Sequence, residues 1–272
     1  MSSPDGITQG PTPATRTAGR VLLLILIGGI GGVLSGAFGV GGGIAMVPLL
    51  ITLARMNQRN ASATSLVAII PAAIAGSISY AVAGQVDLVA ALLIAAGGIV
   101  GSLIGSRLLR TLPIRWLRWL FIALLIVVAV RLFFEVPVRA GVIALTPVSI
   151  PGLVVLGLVM GIASGLFGIG GGVIVVPVLV ALFGAGDLLA KGTSLIAIIP
   201  GAITGTIANA RAGLVDVVDG SIVGVAAAAA SFGGVAIASA LSPQLATILF
   251  AILLLAATAQ LVVRAIRDER RR

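Results

Sequence analysis

The sequence predicts an all-α polytopic membrane protein made of two inverted repeats, each a Gly-broken re-entrant helical hairpin plus three transmembrane helices. Three observations predict it. Hydrophobic residues fill 59% of the 272 positions and charged residues only 9%, against the roughly 25% charged composition of soluble domains. Apolar runs long enough to cross about 30 Å of hydrocarbon recur along the chain. The segment SGAFGVGGGIAMVP at residues 35–48 returns as SGLFGIGGGVIVVP at residues 164–177, so a glycine-broken unit is used twice.

Taken in order, residues 1–19 carry Pro4, Pro11 and Pro13 among Ser, Thr and Gly without apolar periodicity, and read as a flexible cytoplasmic tail. The first apolar run, 21–37, places Gly28, Gly32 and Gly36 four residues apart on one helix face, a spacing that admits another helix closely. The same ladder stands at Gly97, Gly101 and Gly105 and at Gly157, Gly161 and Gly165. After the break at 39–43, residues 44–53 are apolar but too short to span at about 1.5 Å per residue. A polar loop with Arg55 and Arg59 precedes a span at 62–83 that contains Pro71, a residue that kinks helices. Asp87 follows a glycine turn and opens a span at 88–104. Arg107, Arg110, Arg115 and Arg118 then surround Pro113 before a span at 116–134, whose Trp116 and Trp119 sit where interfacial aromatics are expected.

The second half repeats the first at an offset of 129. ATSLVAIIPAAIAGSI from Ala63 matches GTSLIAIIPGAITGTI from Gly192, and Asp87 matches Asp216. A duplicated unit of this kind points to secondary transporters. Arginine placement orients the halves. With each broken segment as one full crossing and a cytoplasmic N-terminus, ten basic residues fall inside and seven outside; with each as a re-entrant hairpin, fourteen fall inside and only Arg131, Arg139 and Lys191 outside. The second distribution is what the positive-inside rule favours. It gives each half an odd number of net crossings and so inverts the second half. The expected organisation is a tail at 1–19, a first repeat at 20–134, a linker at 135–151, a second repeat at 152–266 and a basic C-terminal tail at 267–272, both termini cytoplasmic.

Histidine and cysteine are absent, which excludes His/Cys metal sites, thiol catalysis and disulfides. The net charge of +9 belongs to residues flanking apolar spans and reads as topology and headgroup anchoring, not nucleic-acid binding. GVGGG looks like a phosphate loop, but Gly43 is followed by Ile44 and Ala45 where a P-loop needs Lys and Ser or Thr, and the third glycine of GxGxxG would fall at Ile44. The physics of such loops survives: glycines permit unusual backbone angles, and the helix that follows begins with unpaired N–H groups. At membrane depth that is an anion site.

No Lys or Arg falls near the centre of a span so drawn, so an anion would meet backbone N–H groups and hydroxyls. The candidate substrate-binding residues are Ser35, Gly39, Gly41, Gly42, Gly43, Thr64 and Ser65, with Ser164, Gly168, Gly170, Gly171, Gly172, Thr193 and Ser194 in the second half. Asp87 and Asp216, each after a glycine turn and before a span, read as helix caps, with proton-coupling carboxylates as the alternative. Asn209, Arg211 and Asp219 read as an interfacial polar cluster. A chain with almost no titratable group at depth is not expected to be an enzyme.

The paired SGxFGxGGGxxxxP motifs at Ser35 and Ser164 and the TSLxAIIP segments at Thr64 and Thr193 resemble the sulfite exporter TauE/SafE family, also called the toluenesulfonate uptake permeases. The resemblance runs from Val21 to about Val263 and implies a polytopic inner-membrane transporter for sulfite or sulfur-containing organic anions. The expected activity is secondary transport or facilitation of a small sulfur-containing anion by alternating access, without cofactor or metal. An anion channel on the same breaks is the alternative, and a non-transporting assembly subunit the lesser one. The partners expected are a small anionic substrate and the lipid bilayer, with a homodimer compatible and nucleic acid excluded.

Overall fold

The computed structural model describes residues 17–133 and 141–270. The expected N-terminal tail up to residue 16, linker residues 135–140 and the last two residues of the basic tail lie outside them. The described residues form ten helices: α1 (Ala18–Phe38), α2 (Gly43–Thr52), α3 (Gln58–Val82), α4 (Leu88–Thr111), α5 (Ile114–Phe133), α6 (Ser149–Phe167), α7 (Gly172–Phe183), α8 (Asp187–Ala210), α9 (Val217–Ala240) and α10 (Pro243–Arg270). Seven of them, α1, α3, α4, α6, α8, α9 and α10, are long and apolar enough to cross a membrane. The expected all-α polytopic class is therefore observed.

Local chemistry explains where these helices begin. α3 starts four residues before the expected span because the Asn57 side chain accepts the Asn60 N–H at 2.8 Å. Asp87 and Asp216 are N-caps, accepting the N–H groups of Ala90 and Asp219 at 2.9 Å each. α8 begins at Asp187, which changes the reading of Lys191: it lies in the second turn of a helix rather than in an outer loop. Lys191 is 5% exposed, with its Nζ 3.0 Å from Asp187 Oδ2. The carboxylate sits favourably in the first turn of the helix and neutralises an ammonium that the apolar surroundings would otherwise reject.

The glycine ladders set the packing. A Cβ at Gly28, Gly32 or Gly36 would strike the carbonyl of Val223, Ala227 or Ser231, so α1 lies parallel to and directly on α9. Likewise Gly97, Gly101 and Gly105 meet the carbonyls of Val154, Leu158 and Ile162, which lays α4 parallel on α6. α3 and α8 run antiparallel, with Gly76 against Leu195 and Gly205 against Leu66. In lipid no hydrophobic force draws apolar helices together, and close backbone approach of this kind supplies the attraction instead.

Aromatic stacking repeats the pattern. Phe38 at the end of α1 stacks on Phe250 of α10 at 4.8 Å, and Phe167 at the end of α6 stacks on Phe121 of α5 at 5.1 Å. Each broken segment is thus anchored by the opposite half. The start of α1 meets the start of α9 through the Arg20–Asp219 ion pair, which brings Arg20 to the aspartate of the expected interfacial cluster. Arg59 donates to the Leu112 carbonyl at 2.6 Å, which brings the end of α4 to the same end of the bundle.

Candidate functional site

The two breaks cross each other inside the bundle. A Cβ at Gly41 would stand 3.1 Å from Ile69 Cγ2 and 3.7 Å from both Gly170 Cα and Ile198 Cδ1; one at Gly170 would stand 3.1 Å from the Val40 carbonyl. Ile69 and Ile198 are each the twelfth residue of their helices, counted from Gln58 and Asp187, so the crossing lies at mid-depth. Around it Gly43 abuts Gly168 and Ile169, while Gly172 abuts Gly39 and Val40. The two segments run past each other in opposite directions, fully buried. Gly41 and Gly170 have φ of +77° and +81°, in the left-handed region that side chains with a Cβ rarely adopt. Gly42 and Gly171, also at positive φ, precede α2 and α7 with no side-chain cap, and each carbonyl accepts from the next turn.

Hydroxyls from one half hold the break of the other. Ser65 Oγ donates to the Gly168 carbonyl at 2.6 Å, and Ser194 Oγ to the Gly39 carbonyl at 3.0 Å. Losing either would leave a buried carbonyl short of a partner, at a cost of about 1–3 kcal/mol. Thr64 and Thr193 are placed differently. Their hydroxyls accept the backbone N–H groups of Asp216 and Asp87 at 3.1 and 3.0 Å, tying each helix to the capped turn of the opposite half. Ser35 and Ser164, which precede the breaks, are buried with no hydrogen-bond partner for Oγ. Of the candidate residues, then, the glycines and Ser65 and Ser194 come together at the crossing. The threonines stand one residue away along α3 and α8 and serve the turns.

Several residues beside the crossing escape a motif search. Tyr80 donates its hydroxyl to the Gly36 carbonyl at 2.8 Å, and Lys191 packs its Cα and Cβ against Gly39. Setting the halves in register at 129 exposes them, because Tyr80 faces Asn209, and Lys191 and Asp187 face Ser62 and Gln58. At these repeat-matched positions the two halves differ in charge and size. Among the described residues no three His, Cys, Asp or Glu side chains gather as a metal site requires. Ser65 and Ser194 spend their hydroxyl hydrogens on the Gly168 and Gly39 carbonyls, and the helix starts at α2 and α7 carry no side-chain cap, which leaves first-turn N–H groups as the donors beside the crossing.

A family model described as "Sulfite exporter TauE/SafE" matches residues 3–132 and 153–272. The chain is 29% identical over 201 residues to the "Probable membrane transporter protein YdhB" of Bacillus subtilis, covering 72% of this chain and 82% of that one. It is 31% identical over 210 residues to a "Probable membrane transporter protein" of Xylella fastidiosa, covering 74% and 78%. A further match, 32% over 113 residues, is to the "Probable membrane transporter protein MamO" of Magnetospirillum gryphiswaldense; it takes in 39% of this chain and only 18% of that longer protein. No solved structure matches.

Proposed function

Given that the chain belongs to the sulfite exporter TauE/SafE family of membrane transporters, we propose that it moves sulfite or a small organosulfonate across the plasma membrane by alternating access between two inverted halves. The observation that carries this reading is the crossing of the breaks at mid-depth, each held by a serine of the other half. A substrate passing there must separate segments that belong to different halves, which couples passage to movement of one half against the other. The burial of both breaks inside the bundle favours a carrier over an open pore.

The inverted arrangement has its own support. α3 lies parallel to α1 through their shared neighbour α9, as Gly220 meets Thr64 and Val67 and Gly224 meets Ala68 and Pro71. α8 lies parallel to α4, since Gly201 approaches Gly98 and Gly205 approaches Ser102. Because α3 and α8 are antiparallel, the matching helices of the halves point opposite ways. For the hairpin, Gly42 and Met46 return to Gly31 of α1. Arg20, Arg59 and Arg211 stand at the end where α1, α3 and α9 begin, with Arg107 and Arg110 near the end of α4, and Lys191 stands at the other. That distribution supports a cytoplasmic placement of the arginine-rich end.

Two experiments test the reading. In proteoliposomes loaded with sulfite or methanesulfonate, external radiolabelled anion is expected to enter by saturable counterflow. Ohmic conductance would replace the carrier by a channel, and absence of flux for every sulfur anion tried would remove the transport assignment. Because the chain has no cysteine, Ala83→Cys and Ala212→Cys each introduce a single thiol at repeat-matched turns. They are expected to react with an impermeant maleimide from opposite faces of the membrane. Reaction of both from one face contradicts the inverted arrangement.

A further inference from the structure

Beneath the crossing, toward the end where α1 and α3 begin, a group of buried polar side chains is left without partners. The unpaired atoms are Ser62 Oγ, Ser106 Oγ, both side-chain atoms of Asn209 and Gln58 Nε2; the first three residues are 0% exposed and Gln58 6%. They converge from three helices. At Gly205 of α8 a Cβ would stand 2.9 Å from Leu66 Cδ1 of α3, 2.6 Å from Ser102 Oγ and 3.5 Å from Ser106 Oγ of α4. One helical turn from that contact toward the same end lie Ser62 on α3, Ser106 on α4 and Asn209 on α8. Gly168 packs on the Ser62 backbone, and Gly165 on the backbone of Ser102 and Ser106, so the second break and the helix leading into it lie directly over these side chains.

The other half shows what the same place looks like when filled. The residues matched to Ser62, Ser106, Asn209 and Gln58 are Lys191, Val235, Tyr80 and Asp187. There the tyrosine hydroxyl bonds the Gly36 carbonyl, lysine pairs with aspartate, and Val235 packs beside Gly36, with Ser231 Oγ beside them left without a hydrogen-bond partner. Each of the four is replaced in the second vestibule by a neutral hydroxyl or amide, and three of the replacements are smaller. Buried polar atoms left unpaired are costly and rare; four residues of one chemistry in one place point to a ligand that pairs them.

We propose that Ser62, Ser106 and Asn209, with Gln58 nearer the helix ends, form an oxyanion pocket on the cytoplasmic side of the crossing that takes the sulfite or sulfonate head. This deepens the transport reading above and rests on it. Hydroxyl and amide N–H groups donate to the oxygens of the anion, and the neutral lining lets the anion leave as readily as it enters. The asymmetry gives the carrier one polar vestibule and one sealed by a tyrosine and an ion pair, so the two faces of the membrane differ in affinity for substrate.

The test is a thermal-shift titration of the detergent-purified full chain with sulfite, methanesulfonate and sulfate, run beside proteoliposome counterflow. Asn209→Leu and Ser106→Val, the latter installing the residue already found at position 235, are each expected to weaken sulfite or methanesulfonate binding by roughly tenfold or more, the loss of one hydrogen bond to a charged group. Ser221→Ala, which removes an exposed hydroxyl that bonds only the Val217 carbonyl of its own helix, is expected to keep wild-type affinity. Ser106→Ala, which removes only the hydroxyl oxygen, is read in place of a larger substitution that fails to fold. If the wild type binds or transports and these variants match it, the pocket is wrong and the transport reading stands. If the wild type neither binds nor transports any of the three anions, both fall together.

Discussion

Valine at Gly41 or Gly170 is expected to lower the initial rate of anion counterflow roughly five- to 150-fold, while the protein still inserts and purifies as a monodisperse species. Both positions hold positive φ, where a β-branched residue carries a strain of about 1–3 kcal/mol; relieving it shifts the break and its donors, and a binding loss of the same size converts to that range at about 1.4 kcal/mol per tenfold. Sterics add to it. The Cβ alone would stand 3.1 Å from Ile69 Cγ2 at Gly41, or from the Val40 carbonyl at Gly170, and the γ-methyl groups have to find room between the two breaks. Alanine is expected to act in the same direction and less. Gly84→Ala supplies the control: it has the same backbone conformation in the turn before α4, but nothing lies within 4 Å of its Cβ. Its flux should match the wild type. Unimpaired counterflow in both valine variants would take the crossing out of the mechanism.

How much of this was legible from the sequence differs between the breaks and their surroundings. The breaks are local: a glycine run inside an apolar segment disfavours helix wherever it falls, and its recurrence at an offset of 129 marks two equivalent places. Capping by Asp87 and Asp216 is local too, a short acceptor placed where a helix starts. Partnership across the bundle is not local. Periodicity says that Gly97, Gly101 and Gly105 share a face, but not that the face meets α6 of the other half. Nor does the TSLxAIIP motif reveal that Ser65 reaches the opposite break while Thr64 serves a turn, because adjacent helical residues point about 100° apart. Lys191 read as a loop cation because hydropathy averages over its apolar neighbours; its place in α8 depends on Asp187 one turn earlier.

Alanine at Gly101 of α4 is expected to destabilise the protein, against the ordinary sign of a glycine-to-alanine change within a helix. Propensity alone favours alanine by about 1 kcal/mol, and Gly101 sits in regular helix with no positive φ to lose. What decides the sign is the opposing backbone. Its Cβ would fall on the Leu158 carbonyl, with Ile162 N at 2.9 Å and Gly161 Cα at 3.0 Å. These are main-chain atoms of α6 and cannot rotate aside, so the two helices have to separate along the whole ladder. Overpacking of this sort costs about 1–3 kcal/mol or more, and separation also forfeits the close contact that holds helices together in lipid. The net change should be a lowered thermal midpoint of the purified protein, larger for valine than for alanine. Gly29→Ala and Gly233→Ala, also in helices but with nothing within 4 Å of either Cβ, should leave the midpoint unchanged or raise it. A midpoint for Gly101→Ala at or above the wild type would mean that α4 and α6 do not meet through this ladder. The vestibule that Ser106 shares with Ser62 and Asn209 would lose its wall with it, since the contact of Gly165 with Ser102 and Ser106 continues the same helix pair.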